Sequence, residues 1–380
     1  MPLKILVNGV TLDSANIAPL LTNIKYWKKH NCQISFVGNE ILKNNITNEN
    51  IINIKSINYI NIDENTKIDS KLELILIGLK RNINLIKNIK KYTNKYDIIH
   101  CRSSVLDLIL FPYILKLFDK KIIWTAVFDN LVPITDYGNK IIRFLAWIFF
   151  IISISLLKKA DTIFVISPEL KKYLIDHNFN PPKLVVTGNA IEIDLIKIAK
   201  RQKYIYDALF IGRINEAKGI FDILKVINKV KKEIPTFKLA IIGDGDSHTK
   251  NKFINKIETL KLSKNITLLG TKNGLEKFSI IKSSKTFLFL SHSESFGIAL
   301  LEAVSSGLPA FTYDLPAYKN IYQNSEISSF KIGDTDSITT AIINTFKNKR
   351  FENKNGKKLL GKYSWKKIAK IEYDAFRKLL

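Results

Sequence analysis

The chain alternates short apolar segments with longer segments whose apolar residues recur at helical spacing. The short segments are rich in branched and aromatic residues, which is typical of buried strands. In the first half they cover residues 4–7, 33–37, 97–100, 121–125, 162–166 and 183–186. In the second half they cover residues 208–211, 238–242, 266–269, 286–290 and 310–313. At 380 residues, the chain is predicted to form two α/β domains, each a doubly wound, Rossmann-like parallel sheet.

The strand predicted at 286–290 leads through a short turn into a helix predicted at 296–306. Ser293 and Ser295 are suited to cap the start of this helix, and Gly307 with Pro309 marks its end. The turn lies at the carboxyl end of the strand, which is where ligands bind in open α/β sheets.

The chemistry of this turn favours a phosphate group flanked by hydroxyl groups. The start of a helix attracts a phosphate, and Gly297 lets a ligand approach the backbone closely. Glu294 precedes the helix, Glu302 lies about two turns further on, and carboxylates can accept bonds from adjacent hydroxyls. The pattern therefore suggests a sugar nucleotide. The alternative is that both glutamates are solvated charges on a helix surface.

A second strand, turn and helix at residues 208–220 carries two cations around a glycine turn. Arg213 offers a planar fork for phosphate oxygens, and Lys218 offers a compact point charge. The alternative is that both are ordinary basic residues in a chain rich in lysine.

Taken together, the two turns resemble the carboxyl-terminal half of the retaining glycosyltransferases of family 4, which have the two-domain B-type fold. The matching positions are Gly212 with Arg213, Lys218 with Gly219, residues 242–245, and Glu294 with Glu302 around Phe296 and Gly297. The resemblance covers most of the chain and is strongest from residue 161 to residue 320.

The resemblance implies transfer of a sugar, with retention, from a UDP- or GDP-linked donor to a saccharide or lipid-linked saccharide acceptor. Such a reaction would serve cell-surface glycan or polysaccharide synthesis. By the same resemblance, Arg213 and Lys218 hold the diphosphate and stabilise the charge on the leaving nucleotide. Glu294 would bind sugar hydroxyls, Glu302 the ribose, and His100 the transferred sugar near the reacting carbon. The remaining donor-binding positions implied are Gly212, Gly243, Phe296, Gly297 and Ile298.

Metal and cofactor requirements also follow from the pattern. The Asp-x-Asp pair formed by Asp334 and Asp336 is not positioned to carry a metal between phosphates, because it lies far beyond the two turns. We therefore expect a metal-independent enzyme without a cofactor, the nucleotide sugar being its substrate.

The acceptor side departs from the family pattern, which leaves its contacts open. The glycine-rich turn after the first strand is reduced to Gly9, and Arg102 stands where many relatives carry a second histidine. Relatives often show His-Asp where this chain has Phe128 and Asp129. A lone histidine such as His100, at the end of a strand, is also commonly structural.

The expected domains are an acceptor-side domain at 1–190, a hinge at 191–203 and a nucleotide-sugar-binding domain at 204–363. Residues 364–380 form an amphipathic pattern with Ser364 as a cap, and the resemblance implies that this helix packs on the first domain. Two domains facing each other across a cleft would close over the donor and exclude water.

Residues 141–157 are apolar almost all round and are followed by Lys158 and Lys159. A spanning helix needs about 20 apolar residues, and this segment is shorter and contains Arg143. The alternatives are a wholly buried helix and a helix that lies on a membrane face.

The composition of the chain indicates which class of partner it binds. The net charge of +25 and the pI near 9.7 favour anionic partners, although lysine, isoleucine and asparagine are enriched together, as in AT-rich genomes. An anionic membrane surface is one candidate partner. Nucleic acid is not expected, because no binding module is recognisable.

Two cysteines, Cys32 and Cys101, are too few for a disulfide framework, and the first residues read as a strand without a signal peptide. The expected location is the cytoplasm, with a peripheral position on the cytosolic membrane face as a hypothesis.

Two other functions stay open at this point. A sugar-nucleotide epimerase could use the same fold, and product analysis with a labelled donor would separate it from a transferase. A non-enzymatic polyanion-binding protein would bind with steep salt dependence and consume no donor.

Overall fold

The computed structural model describes residues 2–9, 17–38, 58–61, 71–132, 140–201, 206–323 and 325–380. The chain divides into two compact units. The first consists of Met1–Asn189 and Trp365–Leu380, and the second of Ala190–Ser364. The boundary therefore falls where the segment predicted as a hinge begins.

The first unit is built on a parallel sheet. Its strands are β1 (Leu3–Asn8), β2 (Cys32–Gly38), β3 (Asn58–Asn61), β4 (Ile98–Cys101), β5 (Ile123–Phe128), β6 (Thr162–Val165) and β7 (Leu184–Val186). They pair in the order β3-β2-β1-β4-β5-β6-β7. The apolar residues of the inner strands are almost completely buried, because helices cover both faces of a doubly wound sheet.

Helices connect these strands. Those of the first unit that precede the boundary are α1 (Ile17–Lys29), α2 (Lys71–Lys87), α3 (Leu106–Phe118), α4 (Lys140–Leu157) and α5 (Pro168–Asp176). α2 and α4 each pack against α3.

The second unit repeats the same architecture. Its strands are β8 (Tyr206–Ile211), β9 (Leu239–Ile242), β10 (Ile266–Leu268), β11 (Ser284–Phe289), β12 (Ala310–Tyr313) and β13 (Ser328–Phe330). They form a parallel sheet in the order β10-β9-β8-β11-β12-β13. Its helices are α6 (Ile193–Ile198), α7 (Ile220–Glu233), α8 (Ser247–Thr259), α9 (Gly274–Lys282), α10 (Ile298–Ser305), α11 (Pro316–Lys319), α12 (Thr335–Lys347) and α13 (Lys354–Lys357). The last helix of the chain is α14 (Trp365–Leu379).

The prediction of two doubly wound parallel sheets is confirmed. The strands that the sequence did not predict are β3 and β13, which lie at sheet edges. β13 is a three-residue strand, Ser-Ser-Phe, with both serines exposed. An edge strand needs no continuous apolar run, and so it leaves little periodicity in the sequence.

The segment expected to be a hinge contains α6, which belongs to the second unit and packs against α9. The Lys282 ammonium donates a hydrogen bond of 2.8 Å to the Ala199 carbonyl. Residues 202 and 203 of the predicted hinge lie outside the described residues. Residues 193–199 are thus held by the second unit.

The predicted helix at 141–157 is α4, and only one of its faces is buried. Phe150, Ile154 and Leu157 lie in the core, whereas Ile141 is 72% exposed and Phe144 is 49% exposed. The alternative of a wholly buried helix is therefore wrong. Within the ranges that the structure describes, no helix has the length and apolar character needed to cross a membrane.

α14 completes the first unit by packing on α1. The Trp27 indole donates a hydrogen bond of 3.2 Å to the Ala369 carbonyl. The ring of Phe376, which is completely buried, meets the Trp27 ring edge-on at 5.2 Å. The last residues of the chain therefore fill the core of the unit that contains the first strand.

A buried carboxylate fixes the orientation of α14. Glu372 accepts a hydrogen bond of 2.6 Å from the Asn23 amide and forms an ion pair of 3.1 Å with Arg102. Burial raises the pKa of the Glu372 carboxyl to about 7, although Arg102 and the bond from Asn23 oppose the shift. Arg102, which departs from the family pattern, thus serves the docking of the terminal helix.

This raised pKa predicts a pH-dependent stability. A carboxyl that is protonated more readily in the folded state stabilises that state at acidic pH, and this stability is lost as the pH rises through about 7. Relative to Glu372→Gln, the wild type should lose on the order of 3 kcal/mol between roughly pH 5 and pH 8. Urea unfolding of both proteins across this range measures the difference.

Asp374→Asn is the matched control, because Asp374 lies on the same helix, is about half exposed and pairs with Lys370. Its stability should follow the wild-type pH curve. If the free energies of unfolding of the wild type and of Glu372→Gln differed by the same amount at every pH, the prediction would be contradicted.

Candidate functional site

The two turns singled out in the sequence meet at the centre of the second sheet. β8 and β11 are parallel neighbours, and the strand order reverses between them. Such a reversal opens a crevice at the carboxyl ends of the strands. Here the His292 amide donates a hydrogen bond of 2.9 Å to the Ala217 carbonyl, and the Ser291 hydroxyl donates one of 3.2 Å to the same carbonyl. The two turns are therefore joined directly.

Gly219 permits this junction. It has a φ of +66°, and a Cβ atom there would lie 1.8 Å from the Leu290 carbonyl oxygen. No side chain fits at that distance, and a left-handed φ disfavours any residue except glycine. The close approach of the two backbones therefore depends on the absence of a side chain.

Lys218 of the first turn and Glu294 of the second turn lie in direct contact. The Lys218 ammonium lies 2.5 Å from the Glu294 carboxylate, and the two side chains are only 19% and 10% exposed. Asn215 accepts a hydrogen bond of 3.0 Å from the Lys218 amide and fixes the turn between Arg213 and Lys218. The alternative in which Glu294 is a solvated surface charge is wrong.

Arg213 differs from Lys218 in its surroundings. It is exposed at the start of the same turn, and its guanidinium has no ion-pair partner among the residues whose placement is described. An unpaired guanidinium beside a paired ammonium offers an open fork for an anion.

α10 begins directly after the second of these turns. Gly297 precedes the helix with a φ of +79°, and the helix begins at Ile298. Phe296 is 4% exposed, and its ring packs edge-on against the Tyr363 ring. The first amides of a helix have no partner within the helix, so this position can supply hydrogen-bond donors to an anion.

Glu302 is also buried, at 5% exposure, and it lies in α10. Its carboxylate forms an ion pair of 2.6 Å with Lys277 of α9. The surface alternative is therefore wrong for this glutamate as well. The sequence did not predict a role for Lys277, because no fixed spacing links it to Glu302.

Gly212 and Gly243 lie on the other side of the crevice. The Gly212 amide donates to the Ile242 carbonyl at 3.0 Å, and a Cβ on Gly243 would lie 1.9 Å from the Gly212 carbonyl oxygen. The turns after β8 and β9 are thus packed backbone to backbone, in register with the sheet.

A polar network beneath the site was not foreseen from the sequence. Asp222 of α7 accepts hydrogen bonds from His292 at 2.8 Å, from Tyr313 at 2.9 Å and from Lys225 at 2.8 Å. Burial alone would raise the pKa of the Asp222 carboxyl, but these three donors lower it. The carboxylate therefore holds His292, and with it the turn after β11, against α7.

His100 does not lie where a sugar could reach it. The side chain is fully buried in the first unit, and its Nδ1 lies 2.9 Å from the Thr125 hydroxyl. The rings of Trp27, Phe164 and Phe376 surround it at 5.5, 5.9 and 5.6 Å. The predicted contact of His100 with the transferred sugar is therefore wrong.

The charge state of His100 agrees with a structural role. Burial, and then the charge of Arg102, holds the pKa of the imidazole well below its ordinary value. The covering residue Phe376 comes from the end of the chain, so no local pattern around His100 could reveal its burial.

The two aspartates weighed as a metal pair have other partners. Asp334 accepts a hydrogen bond of 3.0 Å from the Ser337 amide and caps α12, and Asp336 pairs with Lys229 at 2.7 Å. In the described part of the chain, no cluster of three or more histidine, cysteine or acidic residues could hold a metal ion.

Two family models match consecutive parts of the chain. Residues 64–195 match the model described as Glycosyltransferase Family 4, and residues 193–359 match the model described as Glycosyl transferases group 1. The second match contains both turns of the site.

Curated relatives are similar over part of their length. An uncharacterized glycosyltransferase of Methanocaldococcus jannaschii is 32% identical over 256 residues, which cover 62% of this chain and 59% of the relative. The poly(glycerol-phosphate) alpha-glucosyltransferase of Bacillus subtilis is 38% identical over 112 residues, which cover 29% of this chain and 16% of that protein. The chain thus spans less than two thirds of either relative.

Solved structures resemble the whole chain. Anabaena HepE in complex with UDP and glucose has a TM-score of 0.76 at 11% identity, covering 99% of this chain and 100% of that one. Sucrose-phosphate synthase from Thermosynechococcus elongatus has a TM-score of 0.76 at 15% identity, covering 99% of both chains. At these identities the likeness concerns the fold alone, and the predicted B-type fold class is confirmed.

A matched pair of glycine variants tests the contact between the two turns. Gly219 and Gly270 have nearly the same φ, +66° and +65°, but a Cβ at Gly270 would meet nothing within 4 Å. Gly270→Ala should therefore cost only the left-handed backbone penalty, roughly 1–2 kcal/mol. Gly219→Ala adds the collision with the Leu290 carbonyl and should cost at least several kcal/mol more, on the order of a large core defect.

Urea unfolding of both variants measures this difference. Equal losses of stability would show that the contact between Gly219 and Leu290 relaxes freely, and the proposed constraint on the site would then be absent.

Proposed function

We propose that the chain is a family 4 glycosyltransferase, as the two family models over residues 64–359 support, and that it transfers a sugar, with retention, from a nucleotide-activated donor to a saccharide or lipid-linked saccharide. Such a reaction belongs to cell-surface glycan or polysaccharide synthesis. The observation that carries this proposal is the contact between Lys218 and Glu294 beside the unpaired Arg213.

The diphosphate of the donor would lie between the two turns. Arg213 can bind its oxygens as a planar fork, Lys218 adds a fixed charge, and the first amides of α10 face the same crevice. As the bond between sugar and phosphate breaks, negative charge grows on the leaving nucleotide. Cations and amides held in place before the reaction stabilise that charge with little reorganisation.

The two glutamates would bind the hydroxyl-bearing parts of the donor. Glu294 pairs with Lys218 at the phosphate position, so its carboxylate can accept hydroxyls of the adjacent sugar. Glu302 would accept ribose hydroxyls, and Lys277 keeps that carboxylate oriented. Backbone around Gly212, Gly243, Phe296, Gly297 and Ile298 would contact the rest of the donor.

We propose that the reaction requires no divalent metal ion. In many phosphoryl and glycosyl transfers a metal neutralises the diphosphate. Here Arg213 and Lys218 would supply that positive charge from the protein. The epimerase and polyanion-binding alternatives have no observation of their own in their favour.

The test is a donor screen followed by product analysis. Thermal unfolding with a panel of UDP- and GDP-sugars identifies the donor, because a ligand that binds only the folded state raises its stability. With that donor, the new glycosidic bond should keep the anomeric configuration of the donor sugar, read by NMR, and EDTA should leave the rate unchanged.

Arg213→Ala should lower kcat by about 10²–10³ without loss of stability, because Arg213 is exposed and makes no ion pair in the described structure. Lys232→Ala is the control, since Lys232 is an exposed cation near the far end of α7. Isomerised donor without transfer, or full activity of Arg213→Ala, would refute the proposal.

We also propose that the first unit lies on the cytosolic face of an anionic membrane, where a lipid-linked acceptor would be found. α4 exposes Ile141, Phe144 and Ile152, and Lys140 precedes this stripe at the start of the helix. α2, which packs on the same neighbour α3, exposes further apolar residues at helical spacing: Leu76, Leu79 and Ile83. Apolar helix faces with flanking lysines favour binding in the membrane interface.

Vesicle flotation tests this placement. The wild type should float with vesicles that contain about one third anionic lipid at moderate salt, and the double variant Ile141→Glu with Phe144→Glu should float several-fold less. Ile198→Glu is the matched control, because Ile198 is 61% exposed but lies in the second unit. Wild-type protein that stays unbound would remove the proposal.

A further inference from the structure

A cavity of about 800 Å³ lies in the second unit, outside the residues assigned to the donor. Its floor consists of Tyr318, Tyr322 and Ile327, which are buried, and of the half-buried Phe330. Three of these four residues are therefore aromatic. Aromatic surfaces in open cavities suit the apolar faces of ring-shaped ligands.

The cavity lies on the same edge of the sheet as the donor site. Asp314 follows β12, Lys331 follows β13, and the Asp314 amide donates a hydrogen bond of 2.7 Å to the Phe330 carbonyl. β12 is the direct neighbour of β11, which leads to Glu294. With strands about 4.8 Å apart, the cavity lies roughly 5–10 Å from the turn after β11. That separation corresponds to one or two sugar rings.

Tyr318 lies between the cavity and the donor turn. Its ring comes within 3.1 Å, and its hydroxyl within 3.7 Å, of the position that a Cβ on Gly297 would occupy. The pKa of Tyr318 is raised well above its ordinary value by burial and then by the nearby charge of Glu294. The same side chain therefore borders both places.

Two buried polar atoms of the lining tyrosines lack partners among the described residues. The hydroxyls of Tyr318 and Tyr322 are buried and make no hydrogen bond with any described residue. Buried hydroxyls are satisfied in almost all folded proteins, and an unsatisfied pair requires an explanation. These hydroxyls are shielded from solvent, so a ligand in the cavity would meet other atoms of the two tyrosines.

The rim of the cavity is positively charged. Lys319 and Lys331 are exposed and line the cavity, and neither forms an ion pair with a residue in the described ranges. One carboxylate, Asp314, stands against these two ammonium groups. Charge complementarity therefore favours a ligand that carries a negative group.

We infer that this cavity is a subsite for an acidic sugar of the acceptor, a ring that carries a carboxylate or a phosphate. The inference rests on the proposed function, because the acceptor must approach the donor sugar that Glu294 would bind. The aromatic floor would take the face of the ring, and Lys319 with Lys331 its acidic group.

Binding of small probes tests the subsite separately from the donor. Glucuronate, glucose 6-phosphate and glucose are titrated into the full chain by NMR, in the presence and absence of UDP. At least one acidic sugar should bind about tenfold more tightly than glucose, as expected for charge-assisted bonds. The carboxylate and phosphate probes distinguish the two sources of negative charge.

Variants of the cavity residues show whether the acidic sugar binds there. The double variant Lys319→Gln with Lys331→Gln should bind the acidic sugar about tenfold more weakly. The matched control is Lys232→Gln with Lys264→Gln, two exposed lysines of the same unit away from the cavity, which should bind as the wild type does.

The outcomes separate the two proposals. Loss of acidic-sugar binding in the cavity variants, with UDP affinity unchanged, supports the subsite. Acidic sugars that bind no better than glucose, or that bind the cavity variants as tightly as the wild type, overturn it. Absence of both UDP and GDP binding in the wild type would instead refute the proposed function, while the sugar titrations still decide the subsite.

Discussion

The candidate site depends on the direct junction of two backbone turns at the centre of the second sheet. Gly219 lies against the Leu290 carbonyl, and the Ala217 carbonyl accepts hydrogen bonds from the turn after β11. This junction brings Lys218 to Glu294 and shields both from water. An ion pair in such surroundings needs good geometry, because removing two charges from water costs several kcal/mol for each ion. The backbone contacts supply that geometry before any ligand arrives.

The site therefore combines several side chains held in ion pairs with one cation that has no ion-pair partner in the described structure. Lys218, Glu294, Lys277 and Glu302 are already paired, whereas Arg213 has no ion-pair partner in the described structure. Paired carboxylates are held in one orientation, which is a requirement for binding hydroxyls in a defined geometry. An open guanidinium can respond to the diphosphate. The strong positive charge of the whole chain, +25, adds a general attraction for anions, but the arrangement of these few groups determines the chemistry.

In the first unit, burial decides the role of residues that a motif comparison singled out. His100 and Arg102 lie beside α14, so they contribute to packing and to the ion pair with Glu372. A buried neutral imidazole among three aromatic rings stabilises a core, and it has no path to a substrate. The departure from the family pattern at Arg102 has its physical reason in the same place, because the buried carboxylate of Glu372 requires a positive partner.

The sequence by itself determined the alternation of strands and helices, the two parallel sheets and the two turns that carry Arg213, Lys218, Glu294 and Glu302. These features are local, since periodicity, glycine and capping residues act within a few positions of each other. The tertiary structure alone decided what covers each side chain: α14 over His100, Lys277 against Glu302, Asp222 beneath His292, and the cavity beside Tyr318. The physical reason is that burial and pairing depend on residues far apart along the chain. A local sequence pattern does not predict which distant side chain packs against a given residue.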